Sequence, residues 1–156
     1  MSMYIYNAGP LFSEADQKQR RFEGQRLRDA VKDQGFVANP IELPFATNVA
    51  IQSKEIFLKD TSHIDQANIF FFDLAGNDSG TLVELGMAIE KLRQGKTLSI
   101  YPIFSDLRLL RNQASGVESP VGFNSFVVGS LTAHDIEIFD SFESAYQRFL
   151  RDFNLQ

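Results

Sequence analysis

Residues 69–88 read "IFFFDLAGNDSGTLVELGMA", and the fold turns on how they are read. The unbroken apolar run before Asp73 is the pattern of a strand covered on both faces. A polar turn with two glycines follows. A helix is then predicted from about 79 to 94, because Leu82, Leu85, Ile89 and Leu92 recur at helical spacing, and Gly95 marks its end. A strand, a turn and a helix in this order are one unit of a parallel α/β sheet.

The same alternation extends in both directions. Upstream, "MYIYNAG" (3–9) reads as a first strand. Ser13 and Asp16 have capping-box spacing for a helix running to about 34, with Phe22, Leu27, Ala30 and Val31 as its stripe and Gly35 as its stop. "FVANP" is a second strand, 41–50 a loop, and 51–66 a second helix marked by Ile56, Leu58 and Ile64. Downstream, "TLSIYPIF" is a fourth strand and 105–124 an irregular polar loop. "SFVVGSL" or "IEIF" supplies a fifth strand, and "DSFESAYQRFLRDF" a closing helix with a capping box at Asp140 and Glu143. The expectation is one domain over 1–156, with a doubly wound five-stranded parallel sheet and helices on both faces. Ligands of such sheets bind beyond the carboxyl ends of the strands. That gathers loops 7–12, 39–50 and 74–80 into one crevice.

Composition narrows the functions. A net charge of −5 argues against nucleic acid as a partner, since that binding rests on neutralising phosphates. The one basic cluster, "KQRRF" at 18–22, is read as a solvated helix face. Without cysteine there is no disulfide, thiolate metal site or cysteine nucleophile, which fits a reducing cytoplasm. The two histidines, His63 and His134, lack ligand spacing, so no metal is expected and no cofactor is called for. The sequence shows neither a signal peptide nor an apolar stretch long enough for a membrane span.

Several acids could carry chemistry. Glu84 lies off the apolar stripe of its helix, beside the small residues Gly80, Thr81 and Ala88, which leave room for a ligand to approach. The helix N-terminus favours its ionised form. The same facts describe an ordinary exposed glutamate, and spacing alone favours that reading. "GNDSG" lacks the spacing of a dinucleotide or phosphate loop, and Asp78 and Glu84 would repel a phosphate. A neutral polyhydroxyl ligand suits these acceptors better. Asp65 reads as a surface residue and Asp73 as a cap on its turn.

"YIYNAGPLF", "KDTSHIDQANIFFFDL", "DSGTLVELGMA", the late "GFNSF" and "IEIFDSFESAYQRFL" together resemble the nucleoside 2-deoxyribosyltransferase family over nearly the whole chain. The resemblance implies a flavodoxin-like fold, 2′-deoxynucleosides and free bases as substrates, and oligomers built from dimers with shared sites. It makes Glu84 the nucleophile, Tyr6 the residue that orients it, and Asp60 the acid handling the proton on the base. It assigns Asp78 to a sugar hydroxyl, Asn124 to a neighbouring subunit's sugar site, and Gly9 to substrate binding. Relatives that cleave deoxynucleoside 5′-monophosphates carry a serine where this chain has Asp78, so the aspartate favours an unphosphorylated sugar. A non-enzymatic nucleoside-binding module is the alternative from another class, since fold does not fix function. The terminal "FNLQ" lacks the closing aromatic residue of some relatives.

Overall fold

The computed structural model describes residues 2–43, 52–106 and 123–155. Within them lie β1 (Met3–Ala8), α1 (Glu14–Val31), β2 (Gly35–Ala38), α2 (Ser53–Gln66), β3 (Ile69–Asp73), α3 (Ser79–Arg93), β4 (Ser99–Ile103), α4 (Ser125–Thr132) and α5 (Phe142–Asp152). The strands form one parallel sheet in the order β2-β1-β3-β4. Side-chain alternation along β3 divides the core. Phe70 and Phe72 face Ile64 of α2, Leu85 and Ile89 of α3, and Val128 and Leu131 of α4. Phe71 faces Leu27 of α1 and Phe142 and Phe149 of α5. Both faces are covered, as the apolar run predicted.

The sheet has four strands among the described residues, not five. "SFVVGSL" is helical: Asn124 Oδ1 accepts from the Phe126 N–H at 2.9 Å, and Val128 and Leu131 point inward three residues apart. The cap and the i, i+3 burial outweigh the strand preference of its β-branched residues. "IEIF" supplies a single bridge, Phe139 to Ile103, in the place a fifth strand would take. The chain then turns at once into α5. Its cap is Ser141, which accepts from Ser144 N, and not the expected Asp140–Glu143 box. Asp140 instead accepts from both serine hydroxyls, at 3.0 and 2.6 Å.

The Ser13–Asp16 capping box of α1 forms as predicted. The helix stops earlier than expected, at Lys32, whose φ of 47° ends it. Gly35 opens β2 instead, where a Cβ would press on the Met3 carbonyl at 2.7 Å. Phe22 is 49% exposed and meets Phe142 edge-on, while Ile56 and Leu58 on α2 are exposed and Ile64 alone of the three markers is buried. The predicted loop 41–50 lies outside the described residues from 44 onward, as does 107–122 of the later loop.

Lys91 on α3 fixes that helix against the end of α2. Its ammonium donates to the carbonyls of Ile64 and Ala67, each at 2.7 Å, and of Asp65 at 3.0 Å, over the ring of Phe70. A cation there also meets the negative end of the α2 dipole. Lys91→Met keeps the stem and removes these donors; it should lower stability by about 1–3 kcal/mol, measured as a urea midpoint shift.

Candidate active site

At the carboxyl edge of the sheet lies a cleft of about 180 Å³. Asn7, Ala8 and Gly9 at the end of β1 form its floor, with Asn39 and Pro40 after β2 beside them. Asp60 comes from α2, and Asp78, Gly80, Thr81 and Glu84 from the start of α3. Phe12, 79% exposed, stands at its mouth. A second cleft of about 290 Å³, lined by Ile56, Phe57, Val83 and Met87, shares Asp60, Gly80 and Glu84 with the first. The described parts of the three predicted loops do meet here.

Tyr6 and Glu84 form the centre. Tyr6 is wholly buried on β1, and its hydroxyl donates to Glu84 Oε1 at 2.7 Å. Burial, and then the charges of Glu84 and Asp60, push the tyrosine far above its ordinary value, so it stays a donor. Glu84 is not held ionised by the helix dipole, as its position suggested. It is the sixth residue of α3, beyond the turn where the dipole acts. Burial outweighs the Tyr6 hydrogen bond and, with Asp60 and Asp78 nearby, raises its carboxyl to about 7. Of its small neighbours, Gly80 and Thr81 line the cleft, while Ala88 is buried in the core.

Asp60 is also raised, by burial, and the nearby His63 and Lys59 side chains partly offset this. Its Oδ1 has no hydrogen-bond partner among the described residues. Asp78 has a structural duty the sequence reading missed. It is the N-cap of α3, accepting from Gly80 N at 3.3 Å and from Thr81 N and Oγ1 at 3.1 and 2.7 Å. Asn124 caps α4 and does not line the cleft. Gly9 is required sterically: a Cβ there would collide with Arg20 Nη1 and sit 2.9 Å from Asp73 Cβ. Asp73 caps its turn as expected, accepting from Ala75 N at 3.1 Å.

The reading of "KQRRF" as a solvated face fails at Arg20. That side chain is 2% exposed, with Nη2 at 2.7 Å from Asp73 and 3.0 Å from Glu23. It lines the cleft with Asn7 and Asn39, two residues the sequence reading did not single out. The signal was present, since Glu23 and Arg20 continue the stripe of Leu27, Ala30 and Val31 by two turns.

The site is thus a cleft at the carboxyl edge of a parallel α/β sheet, built on a tyrosine-held glutamate with two further acids beside it. The chain belongs to the nucleoside 2-deoxyribosyltransferase family, whose model matches residues 5–113. An uncharacterised Ureaplasma parvum protein, UU063, is 29% identical over 138 residues, 83% of this chain and 84% of that one. A 2-deoxyribosyltransferase structure from Leishmania mexicana is 25% identical, with a TM-score of 0.59 over 96% of this chain and 97% of that one. A conserved Enterococcus faecalis protein shares the fold at a TM-score of 0.72 and 22% identity, over 94% of this chain and 96% of its own. The 2-deoxyribosyltransferase of Bacillus psychrosaccharolyticus shares it at 0.57 and 23%, over 91% and 89%. Family and neighbours point to a pentosyltransferase-like enzyme. Among the described residues, no helix is long and apolar enough to cross a membrane.

Proposed function

We propose that this protein exchanges the base of 2′-deoxynucleosides by double displacement through a covalent ester on Glu84. The observation that carries the proposal is the Tyr6–Glu84 hydrogen bond in a cleft lined by Asp60 and Asp78. Glu84 Oε attacks C1′, and the C1′–N bond breaks with its electron pair going to the base. Asp60, held protonated more readily than an ordinary aspartate, gives a proton to the departing base. A second base then attacks C1′, returns its proton to Asp60 and releases Glu84. Two displacements at one carbon retain its configuration. Asp78 offers its free acceptor capacity to a sugar hydroxyl. As an anion it disfavours a phosphate there.

Deoxyinosine supplied with adenine should yield deoxyadenosine and hypoxanthine. Deoxyribose and hypoxanthine without exchange would instead identify a hydrolase, and no turnover of any nucleoside a binding module. Asn124 serves the site of a neighbouring subunit in this reading, so exchange should vanish when the assembly is dissociated to monomers; monomers of full activity in sedimentation-matched assays would remove it from the mechanism.

Tyr6→Phe should lower exchange by roughly 10- to 100-fold, the value of a hydrogen bond to a charged group. The Tyr6 bond lowers the Glu84 carboxyl. Its loss should therefore move the acid limb of the pH–rate profile to higher pH, a shift that the profile of the variant reads directly.

A further inference from the structure

A chain of buried amides under the cleft fixes which atom of Asn7 is left without a partner among the described residues. Asn39 Nδ2 donates to the backbone carbonyl of Arg20 at 2.9 Å, and a carbonyl can only accept. Gly24 on α1 leaves the room in which that amide lies. Asn39 Oδ1 is therefore the atom turned toward Asn7, whose Nδ2 donates to it at 3.4 Å and to Glu23 Oε2 at 3.2 Å. The orientation of Asn7 follows from that of Asn39 whatever the protonation of Glu23. Asn7 Oδ1 is left as an acceptor without a partner among the described residues, on a side chain 1% exposed. Arg20 Nε and Nη1 are donors in the same condition. Both residues line the cleft that holds Glu84.

An acceptor and a donor, each buried and unmatched in one cleft wall, fit a ligand edge that carries a donor beside an acceptor. We propose that Asn7, with Arg20 beside it, selects the base. An exocyclic amino N–H of the base donates to Asn7 Oδ1, and the neighbouring ring nitrogen accepts from Arg20. The exocyclic amino group of adenine, flanked by ring-nitrogen acceptors, has this pattern. Both free bases carry an imidazole N–H, but on the edge that bears the amino group in adenine unsubstituted purine keeps the acceptors and lacks the donor, leaving Asn7 Oδ1 unmatched. Asn7 is thus a specificity residue in the nucleoside-transfer reading, on which the inference rests.

Equilibrium binding of adenine and of purine to the full-length protein tests it without requiring turnover. The wild type should bind adenine about 10- to 100-fold more tightly, the range expected when a buried polar group is left unpaired. Asn7→Leu should bring the two bases within about twofold of each other. Asn7→Ser, which retains a hydroxyl for Glu23 but shortens the side chain, is the milder variant should leucine prevent folding, and the same loss is expected of it. Equal binding of both bases by the wild type, no adenine binding at all, or discrimination unchanged in the variants would overturn the inference and make the amide chain purely structural. Failure of base exchange alongside Asn7-dependent discrimination would instead overturn only the transferase reading.

Discussion

Glu84→Gln is expected to abolish base exchange, with a loss of about 10⁴-fold or more, because an amide cannot form the glycosyl ester. The same substitution should stabilise the fold at neutral and higher pH. Burial lifts the Glu84 carboxyl from its ordinary 4.5 to about 7. Between those values the native state binds more protons than the unfolded chain, so stability falls as pH rises, and the cost is fully present above pH 7. Its ceiling is roughly 3 kcal/mol. Glutamine keeps the shape and can accept from Tyr6 without a charge to desolvate. Wild type and variant should therefore have similar stability near pH 4.5 and diverge in favour of the variant toward pH 8, as read by urea midpoints at the two pH values. Equal stability across that range would mean that Glu84 is not desolvated. Full exchange activity in the variant would exclude it as nucleophile.

That pairing of lost activity and gained stability shows what residues 69–88 could and could not convey. The apolar run, the turn and the helical stripe were enough to place β3, α3 and the cleft at the sheet edge. The environment of Glu84 was not local. Its hydrogen bond comes from Tyr6, 78 positions earlier in sequence. Asp60 adds its charge from α2, which packs on the same face of the sheet as α3. Helix position alone therefore suggested an ionised, exposed acid, and distant packing reversed it. Asp78 illustrates the opposite case: its N-cap duty was written in its place ahead of Ser79, Gly80 and Thr81. The missing fifth strand has a similar origin. "SFVVGSL" carries strand-forming residues, but Asn124 in front of it and burial at Val128 and Leu131 make it a helix.

The polar wall of the cleft was hidden for a different reason. Buried charge is uncommon, so a run of lysine and arginine on a helix is sensibly assigned to solvent. Arg20 instead extends the inward stripe of α1 toward the carboxyl edge of the sheet, where two acids meet it. Its carboxylate partners are drawn from α1 itself and from β3. In sequence, only the spacing from Leu27 distinguished Arg20 from the adjacent Arg21.

Arg20→Met should consequently be among the most damaging single substitutions in the protein, costing about 3–5 kcal/mol. Methionine fills much of the same volume, so the loss arises from Asp73 and Glu23 left without their cation. Glu23 is the more sensitive of the two. Burial already raises its carboxyl, and Arg20 is the chief charge opposing that rise. Without Arg20, Glu23 is raised further above its unfolded value, so native protons are held to higher pH and stability falls more steeply as pH increases. The deficit should therefore be smaller at pH 5 than at pH 8. Adding Glu23→Gln to Arg20→Met should recover part of it, with a coupling of about 1–3 kcal/mol between the two sites. Urea denaturation of both single variants and the double variant at the two pH values measures each of these quantities. An Arg20→Met protein as stable as the wild type at pH 8 would return this arginine to a solvated face, and with it the steric reason for glycine at position 9.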